Sequence, residues 1–202
     1  MFLRPKVLFP TVIMVLLGLG FSWPAYSRQL VMTFDQSDTL PPPPHPGYRA
    51  PTDPNTLFYI QRSTNANIIV YAANLTRQGQ FDPRNPIDIF WRVFDEDGRR
   101  HGINLIEQLL AYGLTIRPVK GVPNSFDVNV VSFPEMKCRV EFDEAGAPEC
   151  VVQINGRCAR LVSAYVELDQ SGIIPRPLFL DIYGIDKSNG RVLHEHIEAA
   201  TS

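Results

Sequence analysis

The sequence predicts a mainly β protein, either an antiparallel β-sandwich or a partly open β-barrel with one packed α-helix. From Thr56 onward, short runs of apolar, β-branched and aromatic residues alternate with Gly, Asn, Asp and Pro. This spacing is typical of antiparallel strands joined by tight turns. Strands do not alternate with helices and no glycine-rich phosphate loop is present, which disfavours the doubly wound nucleotide-binding folds.

Ten candidate strands lie in the region after Thr56, of which eight or nine are expected to be separate strands. Their predicted bounds are Leu57 to Arg62, Asn67 to Leu75, Ile87 to Phe94, Leu114 to Lys120, Ser125 to Phe133, Lys137 to Phe142, Glu149 to Ile154, Arg157 to Leu168, Leu178 to Ile185 and Arg191 to Ile197.

One helix is predicted between Asn104 and Gly113. Asn104 can cap it, Glu107 completes a capping box, and Gly113 suits a left-handed residue after the last turn. Four apolar residues recur at helical spacing, so we expect one side of this helix to pack on the sheet. These residues are Leu105, Ile106, Leu109 and Leu110.

Residues 1–27 are predicted to be a signal peptide. Arg4 and Lys6 precede an almost wholly apolar run from Val7 to Phe21, and Ala25 to Ser27 offers a cleavage site. An uncleaved anchor is the alternative, but the run is short for a span of about 20 residues. We therefore expect a periplasmic or secreted protein that has no membrane contact after cleavage.

Residues 28–55 are expected to form a proline-rich linker, followed by a single domain over residues 56–202. Seven of the 18 prolines fall between Pro41 and Pro54. Such a segment favours an extended spacer, and a docking strip for a proline-reading partner is the alternative.

The charge of the chain disfavours nucleic acid or an anionic membrane surface as the main partner. The formal net charge is −2, and the predicted leader carries two basic and no acidic residues, so the remainder is more acidic still. Nucleic acid and anionic membranes are usually bound by a basic run, and the sequence has none. We expect no nucleic-acid partner.

Three cysteines lie late in the chain, at Cys138, Cys150 and Cys158. An oxidising compartment would allow one disulfide and one free thiol. A hairpin closing between Phe142 and Ala147 brings Cys138 near Cys150, whereas the Asn155-Gly156 turn puts Cys158 on the other face. We therefore predict a Cys138 to Cys150 disulfide. Cys158 is a conceivable nucleophile if its thiol is free, and a buried structural cysteine is the alternative.

The most informative pattern comes from the alternation of side chains along the strands. In the strand from Ile87, one face is apolar and the other mixes rings with charges, and the strands near Tyr165 and Leu178 repeat this mixture. A groove for a polar ligand or a partner segment fits such a face. The alternative is a solvated face with cross-strand ion pairs beneath the proline-rich linker. The candidate binding residues are Arg62, Asn65, Asp88, Phe90, Arg92, Glu167, Asp181 and Tyr183, with Asn65 also a natural turn former.

Catalytic and metal motifs are weak in this sequence. His194 and His196 share one face of a predicted strand and are interpreted as polar residues of an edge strand, with a two-histidine chelate as the alternative. No metal, cofactor or catalytic residue is predicted. A hydrolase acting on an envelope substrate, with Asp88, Glu167 or Asp181 as acid or base against Arg92, is the alternative to a non-catalytic binding domain.

Three segments resemble a family of secreted proteins known only as a domain of unknown function. They are Leu57 to Tyr71, Asn85 to Trp91 and Ala111 to Leu114, and the resemblance extends from about Thr56 to the C-terminus. The resemblance implies an envelope-facing domain and brings no activity with it. The expected function is therefore a non-catalytic, exported β domain that binds a small molecule or an envelope protein.

Overall fold

The computed structural model describes residues 47–134, 136–171 and 176–198. The predicted signal peptide and the linker up to residue 46 lie outside these residues. The described part is mainly β, with one short helical segment and a single curled, open sheet that forms a half-barrel.

Eleven strands make up this sheet, and each of the ten predicted segments overlaps one of them. The extra strand, Arg100–Gly102, is three residues long and pairs with the end of the strand before it. The bounds are β1 Thr56–Arg62, β2 Ile68–Ala73, β3 Ile87–Arg92, β4 Arg100–Gly102, β5 Leu114–Pro118, β6 Phe126–Val130, β7 Cys138–Phe142, β8 Pro148–Ile154, β9 Arg157–Asp169, β10 Arg176–Asp186 and β11 Val192–Glu198.

The long strand β9 joins two halves of the sheet. Its first residues pair antiparallel with β8, and Ser163 to Val166 pair in parallel with β1. Strand β10 pairs along the other side of β9 and carries β11 at its outer edge. The pairing with β10 is irregular between Ser163 and Leu161, which are opposite Tyr183 and Gly184. Such a bulge bends a strand, and here it marks where β9 changes from one neighbour to the other.

The core lies on the concave, inner face of the sheet. Phe58 and Ile60 of β1 pack there with Tyr71 of β2 and with apolar residues of β6 to β10. The rings of Phe58 and Tyr71 stack with 4.3 Å between centroids, and both side chains are fully buried. Alternation along each strand explains this, because every second residue of the predicted apolar runs faces inward.

The described end of the predicted linker packs on the outer face of β1 to β3. The ring of Tyr48 lies 6.1 Å from that of Tyr59, and their hydroxyl groups are hydrogen-bonded. Asp53 accepts a hydrogen bond from Nε of Arg92 at 2.9 Å. This part of the chain, residues 47–55, is called the arm below. It covers a second apolar cluster made by Tyr59, Val70 and Phe90 with their neighbours.

The helical segment differs from its prediction. The capping box of Asn104 and Glu107 is present, but α1 spans only Leu105–Glu107 and continues as a π-helical turn, Gln108–Tyr112. The prediction that one apolar side of this segment packs on the sheet was wrong. No residue of the segment is buried, and its four large aliphatic residues are 62–69% exposed: Leu105, Ile106, Leu109 and Leu110. Two short turns of different pitch do not align them on one stripe. No helix among the described residues has the length and apolar character needed to cross a membrane.

Gly113 follows the π-helical turn for a reason other than the predicted one. Its φ of −63° and ψ of 164° are extended, so the expected left-handed residue was wrong. A Cβ atom at this position would lie 1.9 Å from the carbonyl oxygen of Gln108. Glycine is needed here because the wide turn brings that carbonyl against its Cα.

The predicted Cys138 to Cys150 disulfide is not present, and all three cysteines are free. Phe142 pairs with Pro148 rather than Ala147, which places Cys138 opposite Val152 and Cys150 opposite Val140. Diagonal residues of neighbouring strands have Cα atoms about 7–8 Å apart, beyond the usual range for a disulfide. Both thiols are buried on the inner face, and contact with Cys138 together with burial holds the pKa of Cys150 well above its usual value. Cys158 is exposed on the outer face, as the turn at Asn155-Gly156 predicts.

The exposed helical turn yields a first testable prediction. Replacing Leu109 and Leu110 together with serine should change the free energy of unfolding by less than about 0.5 kcal/mol per site, because exposed side chains contribute little to the core. Urea denaturation of the double variant measures this. The matched control is Leu161→Ser, which places a hydroxyl group in a fully buried position and should destabilise strongly. Comparable losses in both variants would contradict the exposure.

Candidate functional site

The outer face of the sheet divides into a covered half and an open half. The arm packs over β1 to β3, where the sheet carries its second apolar cluster. The outer face of β9 to β11 presents partly exposed rings, carboxylates and imidazoles. This open half is the candidate site, and it is called the β9–β11 face.

Strand register builds the β9–β11 face as three rows of three residues. Residues that are paired across neighbouring strands share a face, so the rows follow from the pairing of β9 with β10 and of β10 with β11. The rows are Ser163, Tyr183 and His194; Tyr165, Asp181 and His196; and Glu167, Phe179 and Glu198.

Asp181 is the centre of this grid. His194 Nε2 lies 2.9 Å and His196 Nδ1 lies 2.7 Å from the same oxygen, Oδ1 of Asp181. The side chain of Asp181 is only 14% exposed. Burial opposes ionisation of the carboxyl group, but hydrogen bonds from the two histidines outweigh it and hold the pKa of Asp181 below its usual value.

His196 connects Asp181 to a second carboxylate. Its Nε2 lies 3.0 Å from Oε1 of Glu198, so each nitrogen of the ring is within hydrogen-bonding distance of a carboxylate, and both nitrogens donate when the ring is protonated. Partial burial works against the charged ring, whereas Glu198 and Asp181 favour it, and the net effect raises the pKa of His196. While it donates to both carboxylates, the ring has no lone pair with which to remove a proton from a substrate.

Aromatic rings pack beside these polar groups. Tyr183 stacks on His194 with 4.6 Å between ring centroids, and Phe179 lies 4.8 Å from the ring of His196. The hydroxyl group of Tyr165 donates to Glu167. Burial, with a smaller contribution from Asp181, raises the pKa of Tyr183 to about 12, so its hydroxyl group stays protonated at neutral pH. The face therefore offers flat apolar surfaces beside fixed carboxylates and phenol groups.

The candidate residues of β3 lie on the same outer face but in its covered half. Arg92 pairs with Asp53 of the arm, which raises the pKa of its guanidinium group. Asp88 pairs with Arg100, whose guanidinium carbon lies 3.9 Å from the ring centroid of the buried Phe90. Asp88, Phe90 and Arg92 therefore all have their contacts within the chain. This is close to the alternative interpretation of the sequence, in which ion pairs lie on the sheet beneath the arm.

Arg62 and Asn65 stand apart from the other candidates. Arg62 is an even number of residues from Phe58 and Ile60, so it lies on the same, inner face of the strand. There its guanidinium carbon lies 4.7 Å from the ring centroid of Trp91. The side-chain oxygen of Asn65 accepts from the backbone N–H of Asn67 at 3.1 Å. Asn65 thus forms a turn, and neither residue touches the β9–β11 face.

Sequence reasoning did not place His194, His196 and Glu198 in the binding set. The signal was present, because the alternating histidines lie on a strand that follows Asp181 after a short turn. An antiparallel hairpin between those strands puts one face of each side by side. The sequence pattern indicates only polar residues of an edge strand for these histidines, because the alternation within one strand does not show which residues of the next strand are paired with them.

The geometry bears on two alternatives, a metal site and a hydrolase that uses Asp88 together with Asp181. Within residues 47–134, 136–171 and 176–198, no group of three or more His, Cys, Asp or Glu side chains is arranged to hold a metal ion. Asp88 and Asp181 are separated by three intervening strands, or about 19 Å at the usual strand spacing. They cannot act on one bond from that distance.

The histidine and carboxylate contacts predict a pH-dependent contribution to stability. A raised pKa for His196 contributes stability that is complete below its unfolded value of about 6.5 and is lost as the pH rises through the folded value. A lowered pKa for Asp181 contributes stability that is complete above about 3.9 and is lost as the pH falls through the folded value. The destabilisation caused by His196→Ala should therefore be largest between about pH 4 and 6.5.

Urea unfolding of the wild type and of His196→Ala at a series of pH values tests this prediction. His101→Ala is the control, since His101 is exposed on β4, away from the β9–β11 face. A difference between wild type and His196→Ala that stays constant from pH 4 to pH 9 would contradict the assigned contacts.

Comparison with known proteins identifies the family of this chain but gives no activity for it. No curated protein and no solved structure gives a significant match to the chain. One family model matches residues 58–196, which is more than half of the chain and includes all or nearly all of every strand. The chain belongs to the family described as domain of unknown function DUF4833.

Proposed function

We propose that this protein is a non-catalytic binding domain that recognises a polar small molecule or a segment of an envelope protein through the β9–β11 face. The observation that carries the proposal is the placement of Asp181, held by two histidines at 2.9 and 2.7 Å on an open sheet face. A mostly buried carboxylate fixed in this way is pre-organised to accept hydrogen bonds from a partner. Rings on both sides supply apolar contact area.

The charge of the β9–β11 face indicates the character of the partner. The three carboxylates are those of Glu167, Asp181 and Glu198, and two imidazoles offset them in part. A cationic or hydrogen-bond-donating group fits such a surface, because carboxylates beside aromatic rings attract cations by charge and by the ring faces. We therefore expect a ligand or peptide with at least one amine or guanidinium group.

The proposed location is outside the cytoplasm, in the periplasm or after secretion. Support comes from the sequence of residues 1–27, with its basic start, apolar run and small residues near Ser27. N-terminal sequencing of the protein recovered from fractionated cells tests this. We also propose that the curled sheet is a partly open barrel rather than a sandwich, because one strand order runs continuously from β4 to β5.

A pull-down from envelope extract tests the binding function. The bait is the purified protein, compared with Asp181→Asn and with a variant that combines Tyr165→Ala and Phe179→Ala. The control is Asp82→Asn, a carboxylate in the connection between β2 and β3. We expect the site variants to lose a partner that wild type and control both retain. Equal recovery by all four proteins, with unchanged circular dichroism, would rule out this face.

A hydrolase remains the second candidate, and one observation favours keeping it. Glu167 and Asp181 lie on neighbouring strands of the same face, one diagonal step apart, and two carboxylates in such proximity can divide acid and base roles. Activity on envelope glycans or peptides that is lost in both Glu167→Gln and Asp181→Asn would support the hydrolase over the binding domain.

A further inference from the structure

A second surface lies on the outer face of the other half of the sheet. A groove of about 660 Å³ crosses β5 to β9, away from the rings of the β9–β11 face. Its size falls within the range of ligand pockets in proteins. It is open to solvent, and its lining includes the cationic side chains of Arg117, Lys137 and Arg139.

Strand register places a row of arginines that runs through this groove and continues just past its edge, where Arg160 is not itself a lining residue. Arg117 pairs with Asp127, Asp127 with Arg139, Arg139 with Val151, and Val151 with Arg160. Directly paired residues point to the same side of a sheet, so five neighbouring strands contribute to one row. Its arginines fall on β5, β7 and β9, every second strand.

Three cations of this surface have no ionic partner among the described residues. Arg139 is paired with Asp127 at 3.1 Å. Arg117, Lys137 and Arg160 are all exposed, and each lacks a hydrogen bond or ion pair to any described side chain. Glu141 is the carboxylate of the lining that is not in an ion pair in the described part of the chain. The groove thus carries an excess of unpaired positive charge on a chain whose net charge is negative.

We propose that this groove binds an acidic polysaccharide. Arg117 and Arg160 are four strand spacings apart, or about 19 Å, so a single small anion cannot reach both. An extended polymer with repeated carboxylate or sulfate groups can, because a guanidinium group binds such groups through paired hydrogen bonds. Thr115, Asn129 and Gln153 line the same groove and supply hydroxyl and amide groups for sugar hydroxyls.

The lining favours a glycan over a nucleic acid. Single-stranded nucleic acids are held by aromatic side chains on which bases stack. None of the residues lining this groove is aromatic. The site is independent of the β9–β11 face, since it shares no side chain with the nine residues of that face.

The test measures binding of the purified protein to polygalacturonate by isothermal titration calorimetry at low salt, with neutral dextran and single-stranded DNA as comparison polymers. The variant combines Arg117→Ala with Arg160→Ala. The control combines Arg77→Ala with Arg84→Ala, two exposed arginines near the β2 to β3 connection, and changes the net charge equally. Asp181→Asn serves as a second control, because it alters the β9–β11 face and leaves the groove intact.

We expect polygalacturonate to bind, and the Arg117 and Arg160 variant to lose about tenfold or more in affinity, as two charge-assisted hydrogen bonds are removed. Both controls should bind like wild type, and binding should weaken as salt is added. Absence of binding, an equal loss in the Arg77 and Arg84 control, or tighter binding to single-stranded DNA would each overturn the proposal. Loss of binding in Asp181→Asn alone would assign the polysaccharide to the other face.

Discussion

Tyr71→Ala is expected to destabilise the protein by about 4 kcal/mol, within the range for removing a buried aromatic ring. Tyr71 is fully buried on the inner face of β2 and stacks on Phe58. Its hydroxyl group also donates to the carbonyl oxygen of Tyr112 at 2.9 Å, which ties the π-helical turn to the core. The variant therefore loses both a large packing contribution and a link to the turn.

Tyr71→Phe separates the two contributions. This change keeps the ring and removes the hydrogen bond, so it should cost about 1 kcal/mol. Urea unfolding of both variants gives the free energies, and hydrogen exchange at residues 108–112 should increase in both. A cost below about 2 kcal/mol for Tyr71→Ala, where the cavity term alone should exceed that value, would contradict the central position of this ring.

Alternation and turn chemistry were sufficient to predict the strands. Asn155 and Gly156 both have positive φ, as the predicted two-residue turn requires, and the register on either side follows from it. The hairpin before it closes one residue later than expected, with Phe142 opposite Pro148. With Phe142 opposite Ala147, Cys138 would be opposite Val151, whereas in the observed register it is opposite Val152 and Cys150 is opposite Val140. Both thiols therefore lie on the inner face, but as diagonal neighbours they are too far apart for a disulfide. The turn residues place both cysteines in one hairpin without fixing the separation of the two thiols.

The candidate site was predictable in part. The alternation of side chains shows which residues of one strand share a face, but it does not show which strands are neighbours or which of their residues are paired. Parity within β10 correctly grouped Asp181 with Tyr183 on one outer face. The partners of Asp181 depend on the β10 to β11 register, and the cover over Arg92 depends on an arm that was interpreted as a spacer. Arg62 lies on the same face of β1 as the core residues Phe58 and Ile60, which is the inner face. The sequence grouped it with residues of the outer face, because alternation alone does not show which face points inward.

The half-barrel places two different surfaces on one outer face. The β9–β11 face carries carboxylates and rings, whereas the groove across β5 to β9 carries cations without an ionic partner in the described part of the chain. Strand β9 contributes to both, and its bulge lies between Arg160 on one side and Ser163 on the other. On the two proposals made above, the protein would bind two partners of opposite charge side by side, with the bend of β9 setting their relative position.

The bulge of β9 is supported by Gly184, and Gly184→Val is expected to destabilise the protein by about 3 kcal/mol through overpacking. A Cβ atom on Gly184 would lie 2.8 Å from the carbonyl oxygen of Arg160 and 2.7 Å from Cδ1 of Ile154. The Ile154 side chain is fully buried, and the carbonyl belongs to the backbone of β9, so neither can move freely. A valine side chain at position 184 fits only if β9 and β10 move apart at the bulge, where β9 changes the strand with which it pairs.

Gly102→Val is the matched control, because Gly102 also lies in a strand and a Cβ atom there meets nothing within 4 Å. Thermal and urea unfolding of both variants should show a large loss for Gly184→Val and almost none for Gly102→Val. Because Gly184 lies opposite the bulge of β9, between Arg160 and Ser163, Gly184→Val should also weaken binding at both faces under conditions where the variant is still folded. If Gly184→Val were as stable as wild type, the close approach of β9 and β10 at this point would be wrong, and with it the fixed spacing between the two sites.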